Sequence, residues 1–294
     1  MNILLTTDGS KYSEGAAKFL TRLNFSSDDE INILHVISKV PSKGDSKSSS
    51  SKLRQQQEMT YKIIETVRNI VKPLNTKINT TVVKHGHPDK GIIDVAENLN
   101  TDMIVMGPRG LTGLKSIFIG SVTKSVAINT SKPMLIVKPH QWEASDKLKI
   151  LFATDGSYES VETGKLLCLI PFHKDTEVNI LNIISSSMSI PERIHMEIDE
   201  RIKKISADAM TKEFDTSQKV IKQAQELLCD RFRKINGLTK IGDPSIEIAN
   251  TAQALKIDIA AVGSKGMKGI KSMLGSVSRH ILNHSECSVL IGRI

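Results

Sequence analysis

The sequence predicts an α/β protein made of two doubly wound domains, each a parallel sheet with helices on both faces. Its 294 residues are enough for two domains of about 150 residues. The two halves of the chain repeat each other, and in each half strand-length apolar runs alternate with helix patterns. Such alternation favours parallel strands joined by right-handed helical crossovers that cover both faces.

The internal repeat is the strongest of these observations. "NILLTTDGSKYSEGAAKFL" at residue 2 returns as "KILFATDGSYESVETGKLL" at residue 149, and "GHPDKGIIDVAENLNTDMIVMGPRG" at residue 86 aligns without a gap with "GDPSIEIANTAQALKIDIAAVGSKG" at residue 242. Similarity that keeps its order along the chain indicates duplication. We therefore predict domains at residues 1–140 and 147–294, joined by the linker "PHQWEASDKLK", residues 139–149.

The elements of the first half follow in order along the chain. The apolar, β-branched runs "NILLT", "INILHVI", "TTVVKHG" and "DMIVMG" predict strands. A helix is predicted before "TTVVKHG" by one apolar face at helical spacing, formed by Ile63, Ile64, Val67, Ile70, Val71 and Leu74. The Ser/Lys-rich stretch "SKVPSKGDSKSSSSKLRQQQ" from residue 38 lacks periodicity and predicts a loop, either a solvated insertion or a flap over a ligand.

Composition narrows the class of protein. A net charge of +8 favours anionic partners, but three Tyr and one Trp do not form a stacking surface for nucleic acid. No apolar run approaches the roughly 18 residues of a membrane span, and the N-terminus lacks a signal-peptide pattern, so we expect a cytoplasmic protein. The three separated cysteines, Cys168, Cys229 and Cys287, suit a reducing compartment and are expected to be buried small hydrophobes.

Two segments of the first half leave the carboxyl ends of predicted strands, where parallel sheets bind ligands. The first strand leads into Thr6, Thr7 and Asp8, and the fourth into "GPRG", nine further residues and "GS". Glycines let backbone N–H groups approach phosphate oxygens, and a helix that begins at Ser121 adds its free N–H groups and dipole. The hydroxyls of Ser121 and Thr123 are expected to donate to the phosphate. Asp8 would accept hydrogen bonds from the other end of a nucleotide.

At these residues the chain resembles the universal stress protein family in its tandem, ATP-binding form. "GPRGLTGLKSIFIGS" matches the family pattern of Gly, two residues, Gly, nine residues, Gly and Ser or Thr. The resemblance implies two Rossmann-like, adenine nucleotide alpha hydrolase-like domains, each with five parallel strands, and ATP or another adenine nucleotide as ligand, with Mg²⁺ as a companion of the phosphates. The site residues it implies in the first half are Asp8, Val36, Met106, Gly107, Arg109, Gly110, Gly120, Ser121, Val122 and Thr123. In the second half they are Asp155, preceded by Thr154, and Ile183, Val262, Gly263, Lys265, Gly266, Gly275, Ser276, Val277 and Ser278.

The second copy departs from the pattern at one point. Eight rather than nine residues separate Gly266 from Gly275. We expect the shorter loop to displace the start of the following helix and to weaken the second site. Lys265, which replaces Arg109, keeps the charge but not the planar fork of the guanidinium group.

Two further sequence features have simple structural interpretations. "HGHP", residues 85–88, suggests a metal site, but the second half has "IGDP" there, which favours a turn. His35 and Asn182, at equivalent positions, are expected to be polar residues whose hydrogen bonds are satisfied within the fold.

For function, the leading hypothesis is a nucleotide-binding regulatory protein. The alternatives are a slow ATPase or a nucleotide-activating enzyme, and a scaffold without ligand. Neither glycine loop contains an acidic residue to position water or bind Mg²⁺ strongly, so we expect slow hydrolysis at most and assign no catalytic residue.

The repeat also predicts how the halves associate. Each half ends in an apolar strand, "PMLIV" at 133–137 and "SVLIG" at 288–292, and unpaired edges of this kind invite pairing. The family resemblance implies dimers formed through this strand. We therefore expect the halves to form an intramolecular pseudo-dimer about a pseudo-twofold axis, with a homodimer of whole chains as a further option and the protein partner unknown.

Overall fold

The computed structural model describes residues 1–38, 49–110, 119–139, 147–185, 200–266 and 274–293. The linker centre, residues 140–146, and half of the predicted Ser/Lys-rich loop, residues 39–48, lie outside this range. In the first half the elements are β1 Asn2–Thr6, α1 Lys11–Leu20, β2 Glu30–Ser38, α2 Ser49–Val71, β3 Lys77–His85, α3 Pro88–Asn98, β4 Met103–Met106, α4 Ser121–Asn129 and β5 Met134–Ile136. In the second they are β6 Lys149–Ala153, α5 Tyr158–Leu169, β7 Glu177–Ile184, α6 Glu200–Leu228, β8 Lys234–Ile241, α7 Pro244–Ala254, β9 Ile259–Gly263, α8 Ser276–His284 and β10 Ser288–Gly292.

All ten of these strands belong to one sheet, in the order β3-β2-β1-β4-β5-β10-β9-β6-β7-β8. Within each half the five strands are parallel, which confirms the predicted fold class. In both halves the first strand lies between the second and the fourth, so the chain runs outward on one side of it and then returns to the other. The order therefore reverses beside β1 and beside β6.

The strands are continuous apolar runs because both faces of the sheet are covered. In β1, Ile3 and Leu5 belong to one core with α1 and α2, whereas Leu4 belongs to the opposite core with α3 and α4. All three side chains are fully buried. A strand buried on both faces cannot show the polar alternation of a half-exposed strand, which explains the uniform apolar character of "NILLT".

Helix α2 differs in part from the prediction. Its apolar face is confirmed, since Ile64, Val67 and Val71 are buried. Its start at Ser49 lies inside the stretch predicted to be a loop. Lys, Arg and Gln are good helix formers, and they extend the helix N-terminally although this part lacks an apolar face.

The cysteines are less buried than expected, and one of them is exposed. Cys168 and Cys287 are half-buried, and burial raises the pKa of both thiols. Cys229, in contrast, is exposed, and its Sγ lies 3.2 Å from the carbonyl oxygen of Glu226. The expectation that all three are buried is therefore wrong for Cys229, because it follows α6, where the chain turns at the surface.

The two halves join through their last strands. β5 and β10 pair antiparallel, with Leu135 opposite Leu290 at the centre. Both leucines are fully buried. The pairing removes two apolar sheet edges at once and is the internal association expected from the repeat. Among the described residues, no helix has the length and apolar character that a membrane crossing requires.

Lys138 is a buried cation at this junction. It is 5% exposed, its backbone N–H donates to Ser288 Oγ at 3.2 Å, and its Nζ donates to the carbonyl oxygen of Ser285. Burial lowers the pKa of Lys138 from 10.5 to about 8, although Cys287 and Glu286 act in the opposite direction. Between these two values the folded chain releases the proton while the unfolded chain still holds it, so this residue makes folding more favourable as pH rises.

We therefore expect Lys138→Met to flatten part of the pH dependence of stability. Relative to the variant, the free energy of unfolding of the wild-type protein should rise as pH increases from about 8 toward 10.5. Urea denaturation of both proteins across this range measures the difference, and replacement of the exposed Lys90 by Met is the control. A pH-independent difference between wild type and Lys138→Met would contradict this prediction.

Candidate functional site

Two loops meet at the carboxyl end of β1 and β4. A Cβ atom placed on Gly110 would collide with Oδ2 of Asp8, so the aspartate carboxylate lies directly against the glycine backbone. The second half repeats the contact, because a Cβ on Gly266 would lie 2.7 Å from Oδ2 of Asp155. The structure thus brings together the aspartate and the glycine loop that the sequence predicts to share a site.

The turn after β1 fixes the aspartate. Gly9 has φ +79°, in the left-handed region that glycine adopts without strain. The N–H of Ser10 donates to Oδ1 of Asp8 at 3.0 Å, and Ser10 Oγ caps α1 by accepting from the N–H of Ser13 at 3.3 Å. One carboxylate oxygen of Asp8 is therefore held by the turn, and the other faces the glycine loop.

The same turn follows β6 in the second half. Gly156 has φ +76°, the N–H of Ser157 donates to Oδ1 of Asp155 at 3.0 Å, and Ser157 Oγ accepts from the N–H of Ser160 at 3.3 Å. The agreement of these distances with those of the first half shows that both copies keep the same local geometry.

The threonines that precede the two aspartates form hydrogen bonds with the turns on their buried side. The Thr7 hydroxyl lies 3.1 Å from Ser13 Oγ and accepts from the N–H of Gly9 at 3.3 Å. Thr154 does the same with Ser160 at 2.9 Å and Gly156 at 3.2 Å. Thr6, Thr7 and Thr154 are all buried. Their side chains therefore support the site from within the fold.

Helix α4 begins where the glycine loop ends. Gly120 is its N-cap, with no side-chain cap, and the N–H of Gly120 donates to the carbonyl oxygen of Pro108 at 2.8 Å. The first N–H groups of a helix have no partner within the helix, and the dipole makes this end positive. Ser121 is exposed and Val122 half-buried at this end. An anion can therefore bind here.

Thr123 does not have the role that the sequence suggests. Its hydroxyl is buried and donates to the carbonyl oxygen of Gly107 at 3.1 Å. The hydroxyl therefore anchors α4 to the end of β4 instead of facing a ligand. Its backbone N–H still belongs to the first turn of the helix.

The second half keeps these anchors despite its shorter loop. Helix α8 begins at Ser276 with Gly275 as N-cap, and the N–H of Gly275 donates to the carbonyl oxygen of Ser264 at 2.7 Å. Ser278 Oγ donates to the carbonyl oxygen of Gly263 at 2.6 Å, as Thr123 does to Gly107. The expected displacement of the helix start is not found. The difference in length falls within residues 111–118 and 267–273, which lie outside the described residues.

A tyrosine that the sequence did not single out belongs to the first site. The guanidinium carbon of Arg109 lies 4.5 Å from the ring centroid of Tyr12, and Arg109 Nη2 donates to the Tyr12 hydroxyl. Lys11 Nζ lies 5.4 Å from the same centroid. In the repeat, Glu159 occupies the position of Tyr12 and Lys265 that of Arg109. Comparison of "DGSKY" with "DGSYE" was the signal that could have revealed this difference.

The residues expected to contact the base lie beside the end of β1. β1 and β2 pair only as far as Thr6 and Leu34, and the N–H of Thr7 donates to the Leu34 carbonyl at 2.8 Å. Backbone groups of alternate residues point to the same side of a strand, so the N–H and C=O of Val36 face the space above the end of β1. Ile183 has the equivalent position, because the N–H of Thr154 donates to the Leu181 carbonyl at 2.9 Å.

Four further residues considered in the sequence analysis lie near the carboxyl ends of these strands. His35 Nδ1 lies 2.8 Å from the Thr7 carbonyl oxygen and therefore donates to it, and Asn182 Nδ2 donates to the Thr154 carbonyl at 2.7 Å. Both are the satisfied polar residues that the repeat predicts. Met106 and Val262 are buried at the ends of β4 and β9, so they offer a ligand only their backbone.

Comparisons with known proteins agree with this architecture. The sequence profile of the universal stress protein family matches residues 1–138 and 148–293. A universal stress protein of Methanocaldococcus jannaschii is 33% identical over 138 residues, which cover 46% of this chain and 81% of that protein. The crystal structure of a universal stress protein from Archaeoglobus fulgidus has a TM-score of 0.64 at 18% identity and covers 99% of this chain and 96% of that one. Another universal stress protein, similar over 51% of this chain and 98% of its own (TM-score 0.35, 19% identity), was solved in complex with cAMP.

Close packing at Gly107 generates a stability prediction. A Cβ there would lie 2.8 Å from the backbone carbonyl carbon of Tyr12, whereas a Cβ on Gly15 in α1 would meet no described atom within 4 Å. We expect Gly107→Ala to lower the free energy of unfolding by about 1–3 kcal/mol, because backbone must move. Gly15→Ala should raise it by about 0.5–1 kcal/mol. Urea denaturation followed by circular dichroism measures both, and equal effects of the two substitutions would show that the contact at Gly107 is not tight.

Proposed function

The chain belongs to the universal stress protein family, and from this we propose that it binds an adenine nucleotide, ATP foremost, and acts in the cytoplasm as a regulatory module of the stress response. The observation that carries the proposal is the contact between Asp8 and Gly110 near the start of α4, whose N-cap residue Gly120 provides no side-chain cap. This arrangement offers a carboxylate acceptor, a glycine backbone and helix N–H groups around one space. A nucleotide needs these three partners for its ribose, its phosphates and their negative charge.

Each part of the first site would take one part of the nucleotide. The backbone of Val36 would bind adenine, and Oδ2 of Asp8 would accept from ribose hydroxyls. The backbone of Gly107 and Gly110 would face the ribose and phosphates. The backbone N–H groups in the first turn of α4, those of Ser121, Val122 and Thr123, would bind the phosphate chain.

Positive charge supports phosphate binding at the first site. Arg109 and Lys11 both lie over the Tyr12 ring, and the ring holds the guanidinium group beside the loop. In the second half Glu159 occupies the position of Tyr12, and its carboxylate would repel phosphates. We therefore propose that the second site, formed around Asp155 and the start of α8, binds the same nucleotide more weakly although its anchors match.

Mg²⁺ would be held mainly by the nucleotide. Among the described residues, no group of three His, Cys, Asp or Glu side chains is placed to bind a metal ion. Oδ1 of Asp8 already accepts from the N–H of Ser10. A Mg²⁺ ion would thus take most of its ligands from phosphate oxygens and water, as it does when the protein supplies few carboxylates.

The first test measures binding. The nucleotide released when freshly purified protein is denatured identifies the resident ligand, and calorimetric titration with ATP, ADP, AMP and cAMP measures affinity. We expect Gly120→Val to remove most of the binding, because its side chain would enter space 3.1 Å from Arg109 Cα and disturb the start of α4.

The matched variant is Gly275→Val, which alters the same position of the weaker site and should cost less binding. Equal losses in the two variants would contradict the difference between the sites. The absence of binding to any of the four nucleotides, in wild-type protein shown to be folded, would overturn the proposed function.

The second test concerns chemistry. Since Asp8 is held by the turn and the described ends of the loop supply no acid to position water, we expect ATP turnover orders of magnitude slower than the typical enzyme rate of about 10 per second. Phosphate release under multiple-turnover conditions measures it. Rapid release that Asp8→Asn abolishes would replace the regulatory proposal by an ATPase.

A further inference from the structure

Two cations cross the junction between the halves. Arg293, which follows β10, donates from Nη2 to the carbonyl oxygens of Ala127 and Ile128, the latter at 3.4 Å, at the end of α4. Lys138, which follows β5, donates from Nζ to the carbonyl oxygen of Ser285, the C-cap residue of α8. Each cation therefore binds the end of a helix that belongs to the other half.

The two contacts are equivalent by the repeat. "PMLIVK", residues 133–138, aligns with "SVLIGR", residues 288–293, so Lys138 and Arg293 occupy the same position. Each follows the last residue of the β5–β10 ladder by two, since Ile136 pairs with Val289 and Ile291 with Met134. The antiparallel pairing thus directs each cation across the junction to the opposite half.

The helices that receive these cations are the two that begin at the glycine loops. Helix α4 has only nine residues, so about 13 Å separates its N-terminus from its C-terminus. Orphan carbonyls and the negative end of the dipole favour a cation at the C-terminus. At the other end Thr123 fastens the helix to β4. Arg293 therefore helps to fix where the N–H groups of the first turn point.

We propose that Arg293 and Lys138 are positioning residues for the nucleotide sites, each holding the phosphate-binding helix of the opposite half. This inference rests on the proposed function. It means that the first site is complete only when the second half is docked, and the second only when the first is docked.

The burial of the two groups supports a persistent contact. Lys138 is buried and Arg293 half-buried, and burial lowers the pKa of both side chains. A cation taken out of water is stable only when acceptors replace its hydration, and here the acceptors are carbonyls at the ends of the two helices. A loose surface pair would not carry this cost, so the contact constrains the helix that it binds.

Crosswise substitution tests the proposal. In a Gly275→Val background, which leaves the first site, Arg293→Met should raise the Kd for ATP about tenfold, and Arg293→Lys should restore most of the affinity. In a Gly120→Val background, Lys138→Met should weaken the second site in the same way. Hydrogen–deuterium exchange should become faster across α4 in Arg293→Met and across α8 in Lys138→Met.

A matched control is Arg231→Met. Arg231 also donates to carbonyl oxygens at the end of a helix, those of Cys168 and Ile170 at 3.2 Å, but within its own half. It should leave the first-site Kd unchanged. An unchanged Kd in Arg293→Met, or an equal loss in Arg231→Met, would overturn the proposal while the nucleotide site stands. Failure of folded wild-type protein to bind ATP, ADP, AMP or cAMP would instead remove the proposed function and the positioning role with it.

Discussion

The parallel pairing of β1 with β4 is the interaction on which the site depends. The chain passes from β1 to β2, yet Ile3, Leu4 and Leu5 also pair with Met103, Ile104 and Val105. The loops that leave these two strands therefore diverge from neighbouring points at one edge of the sheet. Open parallel sheets bind ligands where the strand order reverses in this way. The contact between Asp8 and Gly110 is a direct result.

A second constraint comes from the sheet edges. β5 is apolar throughout and β10 is apolar apart from Ser288, and each strand would leave an exposed edge if its half stood alone. Their pairing joins the halves into one ten-stranded sheet, in which the outer strands are β3 and β8. Both outer strands begin with lysine, a residue that discourages further pairing at an edge. This pairing also brings the C-terminal ends of α4 and α8 into contact with Arg293 and Lys138 of the opposite halves.

The two halves share the backbone geometry of their strand ends but differ in the charged residues near them. Hydrogen bonds within the aspartate turns agree closely between the halves, and the bonds that anchor α4 and α8 join equivalent partners. Residues of the loops and of the first helical turns differ, since Tyr12 and Arg109 are replaced by Glu159 and Lys265. The geometry of the two strand ends is thus nearly the same, whereas the charged residues near them are not. Backbone geometry depends on few local residues, but affinity depends on the charges around them.

The sequence by itself determined the features that depend on local pattern. The strands, the apolar face of α2, the aspartates at the strand ends and the helix start after Gly120 follow from spacing, glycine and the repeat, because each involves residues close along the chain. Only the tertiary structure decided which groups these elements present. It placed the hydroxyls of Thr7 and Thr123 inward, set Arg109 over Tyr12, and left Cys229 exposed. It also brought Arg293 to Ala127 across 166 residues. Such contacts depend on the order and direction of paired strands, and periodicity within a segment carries no information about either.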